Sequence, residues 1–289
     1  MNMVRLAVIG GSGLYDMPQL SDVEEYMPAT PFGPPSDAIR VGVLEGVPVA
    51  FLARHGRGHR HIPSEVPYRA NIYALKLLGV ERVISISACG SLREQLHPGE
   101  VVVPDQLYDQ TRGRANTFFG SEFAAHVSVA DPFCPQLSAD LADVVEQVGG
   151  RVHRGGTVIT IEGPRFSTRA ESHVFRQWGM DVINMTTSPE AFLAREAEMC
   201  YAVMNHISDY DVWHDTREPV TVDMVLDILH QNATLAQEVI RVLVSRMGSV
   251  AARRCHCGNA LQAALITARD RIPAAALAAL RPLVGRYLG

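Results

Sequence analysis

The stretch NHISDYDVWHD, Asn205 to Asp215, sets Asp209 and Asp211 one residue apart just after the apolar run MCYAVM. Carboxylates at the end of a buried strand are costly unless something pairs with them. In an extended chain a spacing of two puts both on the same side, so both can face one ligand edge. A carboxyl kept from water beside a second carboxylate has its pKa raised, and can then donate a proton near neutral pH. A helix cap or a solvated turn is the plainer account of the same residues.

Four other stretches carry groups suited to an anion. GGSGLYD, Gly10 to Asp16, fails the dinucleotide pattern G-x-G-x-x-G, because Asp16 or Ser12 stands where a glycine is required. It also fails the esterase elbow G-x-S-x-G, because Leu14 occupies the last glycine position. What remains is a tight turn with a hydroxyl at Ser12, whose backbone N–H groups can hold an anion. RHGRGHRHIPSE, from Arg54, is the densest basic cluster. Arginine's planar fork suits phosphate oxygens, and His55 can add a switchable donor. Metal binding by His55, His59 and His61 is disfavoured by the arginines among them. SACGS, around Ala88, lets a ligand approach the backbone. NMTTSPE places Thr186 and Thr187 before a helix N-terminus, a favourable place for an anion. Each alone is also consistent with an ordinary turn or loop. Together they place hydroxyls, glycines and arginines at the carboxyl ends of several strands, where open α/β sheets bind ligands.

The elements that must position these groups follow from periodicity. VRLAVI, residues 4–9, predicts a buried strand running into the glycine turn, and AIRVGVLEGVPVAFLAR predicts a hairpin about Glu45-Gly46. YRANIYALKLLGV predicts a helix stopped by Gly79, followed by a strand in RVISISACGS. Further strands are expected at 100–104, 157–162, in DVINM and in CYAVMNHIS. Thr168 and Glu171 have capping-box spacing for a helix reaching about Trp178. Ser188-Pro189 predicts a cap and first-turn proline, and helices are expected over roughly 221–247 and in the tail. The expected fold class is α/β, one domain with a central mixed β-sheet flanked by helices. The domain is expected over 1–250, with 251–289 a helical extension packed on it.

The 289 residues are 47% hydrophobic and 20% charged, a composition that buries a sizeable core and excludes a disordered chain. The formal charge of −5 disfavours broad attraction to nucleic acid or an anionic membrane. No apolar run approaches a membrane span and the N-terminus has no leader pattern, so a cytoplasmic protein is expected. The five cysteines are too scattered for a disulfide framework. Cys255, His256 and Cys257 form CHC, but no second Cys/His pair accompanies them, so no metal is expected and a plain surface loop is the simplest reading. A local disulfide is the other option.

The blocks GGSGL, ARHGRGH, ACGSLRE, DPFCP, TIEGPRFSTRAES, DVINMTTSPE and SDYDVW occur in an order that closely resembles the 5′-methylthioadenosine phosphorylases of the trimeric purine nucleoside phosphorylase superfamily. The match runs from the first strand to about residue 230. The resemblance implies a nucleoside phosphorylase-like fold and phosphorolysis, in which phosphate attacks C1′ and releases adenine with 5-methylthioribose 1-phosphate. It implies inorganic phosphate as co-substrate and neither metal nor organic cofactor. It assigns phosphate contacts to Ser12, Arg54, His55, the Ala88 backbone and Thr186. It sets Phe166 and Ser167 against the base, Met185 at the ribose, and Asp209 and Asp211 at the purine edge, where they are the catalytic residues. It places His126 with Val222, Val225 and Leu226 around the 5′-substituent. In the family that histidine comes from a neighbouring subunit, so a homotrimer with interfacial sites is implied. Read from residues alone, Phe166 fits simple core, Ser167 a helix cap, and the Val/Leu set an ordinary helix face.

Adenine presents an N7 acceptor and an N6 donor on one edge, which suits a carboxyl able to donate and accept. Relatives acting on 6-oxopurines carry asparagine in this region, so Asp209 implies a 6-aminopurine preference. A broader nucleoside phosphorylase, a water-using nucleosidase and a non-catalytic purine-binding module are the rival readings. The last two have no use for a phosphate set.

Overall fold

The computed structural model describes residues 4–11, 14, 17–214, 222–247 and 253–288, with the side chains of 222–232 excepted. Its central strands are β1 (Leu6–Gly10), β5 (Arg82–Ser91) and β11 (Cys200–Asp209). Every residue of β1 is buried. It lies between parallel neighbours with layers on both faces, so its sequence is a continuous apolar run rather than an alternating one. β3 (Ile39–Leu44) and β4 (Val47–Ala53) form the expected hairpin. Its two turn residues, Glu45 at φ 50° and Gly46 at φ 76°, supply the paired positive φ of a tight two-residue loop. β2 (Ser21–Tyr26), exposed along nearly its whole length, closes that edge. The other strands are β6 (Val101–Val103), β7 (Gln106–Gln110), β8 (Val152–Arg154), β9 (Thr157–Ile161) and β10 (Val182–Asn184).

These form one mixed sheet in the order β2-β3-β4-β1-β5-β10-β9-β7, with β11 on the other edge of β5 and β6 and β8 beyond it. The helices are α1 (Tyr68–Leu77), α2 (Pro135–Gln147), α3 (Arg169–Gln177), α4 (Thr187–Glu196), α5 (Val222–Met247) and α6 (Ala274–Leu288). Alternation along the strands splits the core into two layers. Ile9, Leu52 and Tyr201 pack with Ile72 of α1, Leu193 of α4 and Leu283 of α6. Val8, Phe51 and Ile84 pack with Leu141 of α2 and Val239 of α5 on the opposite face. The expected fold class is borne out.

The capping box forms as expected: Thr168 Oγ1 accepts from Glu171 N at 3.2 Å, and Glu171 Oε2 accepts from Thr168 N at 2.7 Å. At α4 the helix is entered at Thr187, but Ser188 is extended at φ −97° and ψ 136°. Regular turns therefore begin at Pro189, whose missing N–H costs nothing there.

The expectation of a plain surface loop at CHC is corrected. Cys257 is buried, and its sulfur, with that of Cys255, meets those of Cys134 and Cys200. The second cysteine pair that the sequence seemed to lack comes from α2 and β11, brought in by tertiary folding. Among the described residues no helix is long and apolar enough to cross a membrane.

Candidate active site

β5 has three strand neighbours, and the site grows from the gap they leave. β1 pairs with β5 as far as Ser85, and β10 takes up the same edge only from Gly90. β11 occupies the opposite edge throughout, up to Asp209 against Gly90. Over Ile86–Cys89 the β1/β10 edge of β5 therefore faces no strand. A cavity of about 590 Å³ opens there, lined by Ile86 to Gly90 and by the carboxyl ends of β1, β4, β10 and β11. That volume suits a nucleoside-sized ligand. The location is the switch point at which open α/β sheets bind ligands.

Asp209 and Asp211 both line this cavity, but they do not meet as alternate residues of one extended strand. β11 ends at Asp209, and Asp211 turns into the left-handed region at φ 50°. Asp211 N donates to Asp209 Oδ1 at 2.7 Å, an Asx turn in which the first carboxylate folds the chain back over itself. The period-two reading missed this, because a side-chain acceptor two residues back competes with the strand. The Ser208 hydroxyl lies against Asp209 Oδ2 and, at 3.1 Å, Cys89 O. Gly90 leaves room for the pair: a Cβ there would meet Asp209 Oδ1 at 3.0 Å and Asp211 Cβ at 3.3 Å. Burial raises the Asp209 pKa against the pull of those two donors. Asp211 is 7% exposed, and burial, with the Asp209 charge adding to it, pushes its carboxyl up to about 6.

The anion-type groups line the same cavity. Thr186 is buried as the N-cap of α4, and its side chain makes no capping bond. It lines the cavity just ahead of α4, whose regular turns begin at Pro189. Arg54 also lines it, but its fork is already engaged. Nε and Nη2 donate to Glu190 at 2.9 and 3.1 Å, and Nη2 also donates to Ser85 Oγ at 2.6 Å. Nη1 gives one bond, to Ile86 O at 3.1 Å, which leaves it a second N–H. The expectation of a free bidentate fork for phosphate is therefore revised to a single remaining donor. His55 Nδ1 lies 2.9 Å from His61 O, and burial, reinforced by Arg54, lowers its pKa to about 3. The ring is neutral with Nδ1–H donating, so Nε2 is an acceptor, suited to a protonated phosphate oxygen rather than a bare one.

Phe166 lies on the cavity wall with 38% of its surface open, which argues against the simple-core reading. Ser167 is not the helix cap, a role Thr168 takes, and its hydroxyl has no partner among the described residues. Met185 and Ala88 line the same space. Ser12 lies outside the described residues, although Gly11 and Leu14 on either side of it line the cavity. Val222, Val225 and Leu226 fall in the part of α5 whose side chains are not described; Ala233 and Ala236 of the same helix reach the cavity. His126 is exposed and lies away from it.

Several contributors were not singled out from sequence. Glu190 pairs with Arg54 across 136 positions. Arg114 donates to Met185 O and Ser188 O, both at 2.8 Å, and to Glu162 O at 2.6 Å, pinning the β9 and β10 ends together. Asn184 joins Thr160, Thr187 and Asn205 in one buried network. His206 faces the cavity fully buried, its pKa lowered by burial to about 4, with neither ring nitrogen partnered among the described residues. A charged residue inside an apolar helix turn, as in SPEAF, is the one local signal among these. Among the described residues, the group of His, Cys and carboxylate atoms close enough to share a metal is the cysteine cluster, and none of its members lines the cavity.

Residues 5–245 match the model of the phosphorylase superfamily. The chain is 52% identical over 284 residues to the S-methyl-5′-thioadenosine phosphorylase of Geobacter sulfurreducens, covering 98% of this chain and 99% of that one. It is 51% identical over 288 residues to the enzyme of the same name from Chloroflexus aurantiacus, covering 99% of each. A crystal structure of methylthioadenosine phosphorylase from an Antarctic soil metagenomic library superposes with a TM-score of 0.93 at 46% identity, covering 98% of this chain and 99% of that one. The Schistosoma mansoni methylthioadenosine phosphorylase in complex with adenine does so at 0.81 and 39%, covering 86% and 93%. Fold, cavity and relatives agree over almost the whole length: the chain belongs to the phosphorylase superfamily, among the S-methyl-5′-thioadenosine phosphorylases.

Proposed function

We propose that the chain cleaves 5′-methylthioadenosine with inorganic phosphate, giving adenine and 5-methylthioribose 1-phosphate. The observation that carries this reading is one cavity lined both by the Asp209 and Asp211 carboxyls, each with a raised pKa, and by Thr186, whose side chain makes no capping bond. Adenine stacks on Phe166, with its N7/N6 edge turned to Asp209. Met185 backs the ribose, and phosphate sits at Thr186, the Ala88 edge of β5, Ser12 and the remaining Arg54 N–H.

A phosphate oxygen attacks C1′ as the C1′–N9 bond breaks, the ribosyl group passing through an oxocarbenium-like state. Negative charge flows onto the departing purine. Asp209, at the cavity wall with a raised pKa, delivers the proton or hydrogen bond at N7, a role worth about 10²–10⁴ in rate. Asp211 holds Asp209 through its N–H, a bond that favours the ionised form and so partly offsets the rise that burial imposes on the Asp209 carboxyl. Phosphate arrives among groups of little net charge, since Glu190 compensates Arg54 and His55 is uncharged. Arg114 keeps the β9 and β10 ends, and with them Met185, in place.

The chain acts without an organic or metal cofactor in the chemical step, in the cytoplasm, as a homotrimer. The partner subunit's His126 then closes the 5′ end of the cavity, together with Val222, Val225 and Leu226. Initial rates with phosphate and methylthioadenosine, adenosine or inosine test the substrate assignment. Methylthioadenosine should have the highest kcat/KM and inosine the lowest, and a preference for inosine would reject it.

A further inference from the structure

Cys134, Cys200, Cys255 and Cys257 take no part in the reaction above, yet the fold gathers them. Their four sulfurs lie within 4.8 Å of one another, with Cys200 Sγ and Cys255 Sγ 3.3 Å apart. Cys134 is the N-cap of α2, Cys200 opens β11, and the other two enter from the segment beyond residue 253. Cys134, Cys200 and Cys257 are buried.

Four sulfurs converge on one point rather than forming two separate pairs. Tetrahedral zinc takes four thiolates at about 2.3 Å, which places the sulfurs about 3.8 Å apart, so the observed cluster needs only small shifts. Two donors also point at sulfur. Leu137 N donates to Cys134 Sγ at 3.5 Å from the first turn of α2, and Arg195 Nη1 donates to Cys257 Sγ at 3.4 Å. A zinc tetrathiolate carries a net charge of about −2, and N–H donors, a guanidinium and a helix N-terminus are the outer groups that stabilise it. A disulfide has no such charge to offset. His256, between the last two cysteines, is exposed and stands outside the set.

We propose that these four cysteines bind one zinc ion in a closed structural site, with every coordination position supplied by the chain. The ion ties the start of β11 and of α2 to the C-terminal segment. That segment in turn supports the irregular stretch carrying His126: Ala264 O accepts from His126 N at 2.8 Å, and Leu265 bridges Ala125. The site would thus hold in place the group proposed to complete a neighbouring cavity.

The test is elemental analysis of the full chain purified without chelator, with cobalt replacing zinc in a second preparation. The expected result is about one zinc per chain, and cobalt protein showing the strong visible and near-ultraviolet bands of tetrahedral thiolate coordination. The double variant Cys255→Ser/Cys257→Ser should lose at least nine-tenths of the metal, while Cys89→Ser, outside the cluster, keeps it. The double variant can lose metal by misfolding, so the cobalt spectrum of the unaltered chain decides independently. Metal-free native chain overturns the proposal, whether its thiols all titrate freely after unfolding or have closed into disulfides. So does a cobalt spectrum without thiolate bands.

Discussion

Asp209 shows how one side chain gathers several constraints. It ends β11, accepts the Asp211 N–H, and faces the cavity with a carboxyl that burial makes easier to protonate. Asp209→Asn keeps the shape and donates where the carboxyl would accept. Phosphorolysis of adenine nucleosides should fall by about 10²–10⁴, and the rate with inosine should rise relative to it. Steady-state kinetics giving an unchanged substrate ratio would remove Asp209 from base selection. Asp211 makes a separate prediction, because its carboxyl stands at about 6 in the fold against 3.8 ordinarily. The folded state holds a proton that the unfolded chain releases. That stabilisation is complete below pH 3.8 and is lost as the pH rises through about 6, a change on the order of 3 kcal/mol at about 1.4 kcal/mol per unit. Asp211→Asn cannot ionise, so its unfolding midpoint should gain on the native one between pH 4 and 7; a constant offset in urea titrations would contradict this. Both aspartates were legible in sequence as misplaced charge. The turn joining them was not, because an acceptor on the side chain decided the backbone.

At the scale of elements, the site depends on β5 ending its pairing with β1 before it begins with β10. The strands themselves were legible, since RVISISACGS and CYAVMNHIS are apolar runs of the length that buried strands require. Which neighbours each strand takes, and where they leave an edge open, depends on pairings 76 to 119 residues apart that no local pattern reports. The tie between β4 and α4 is of the same kind. Arg54 and Glu190 face each other with side chains 3% and 1% exposed, so removing one charge strands the other. Glu190→Gln should cost about 3 kcal/mol or more in unfolding free energy and also disturb the phosphate end. A urea denaturation curve matching the native one would show that the pair is not holding α4. Arg54 was legible as a free bidentate fork only while its partner was unseen; one N–H remains for an anion.

Over the whole molecule, the two core layers hold the sheet while the cavity sits where strands part, so one cavity can gather acidic and anion-binding groups from several strand ends. The family and the order of blocks were readable from the sequence because long, specific stretches such as TIEGPRFSTRAES lie at strand ends. The cysteine cluster was not, because its members are spread over positions 134 to 257 and only the folded tail unites them. Central to the proposed function is cleavage of the nucleoside by phosphate, held in the same cavity as the carboxyl pair. Its most direct measurement is adenine release from methylthioadenosine with phosphate varied from none upward, with the sugar product followed by phosphorus NMR. The account predicts saturable dependence on phosphate and a pentose 1-phosphate formed one for one with adenine. Release at the same rate without phosphate, yielding free methylthioribose, would contradict it.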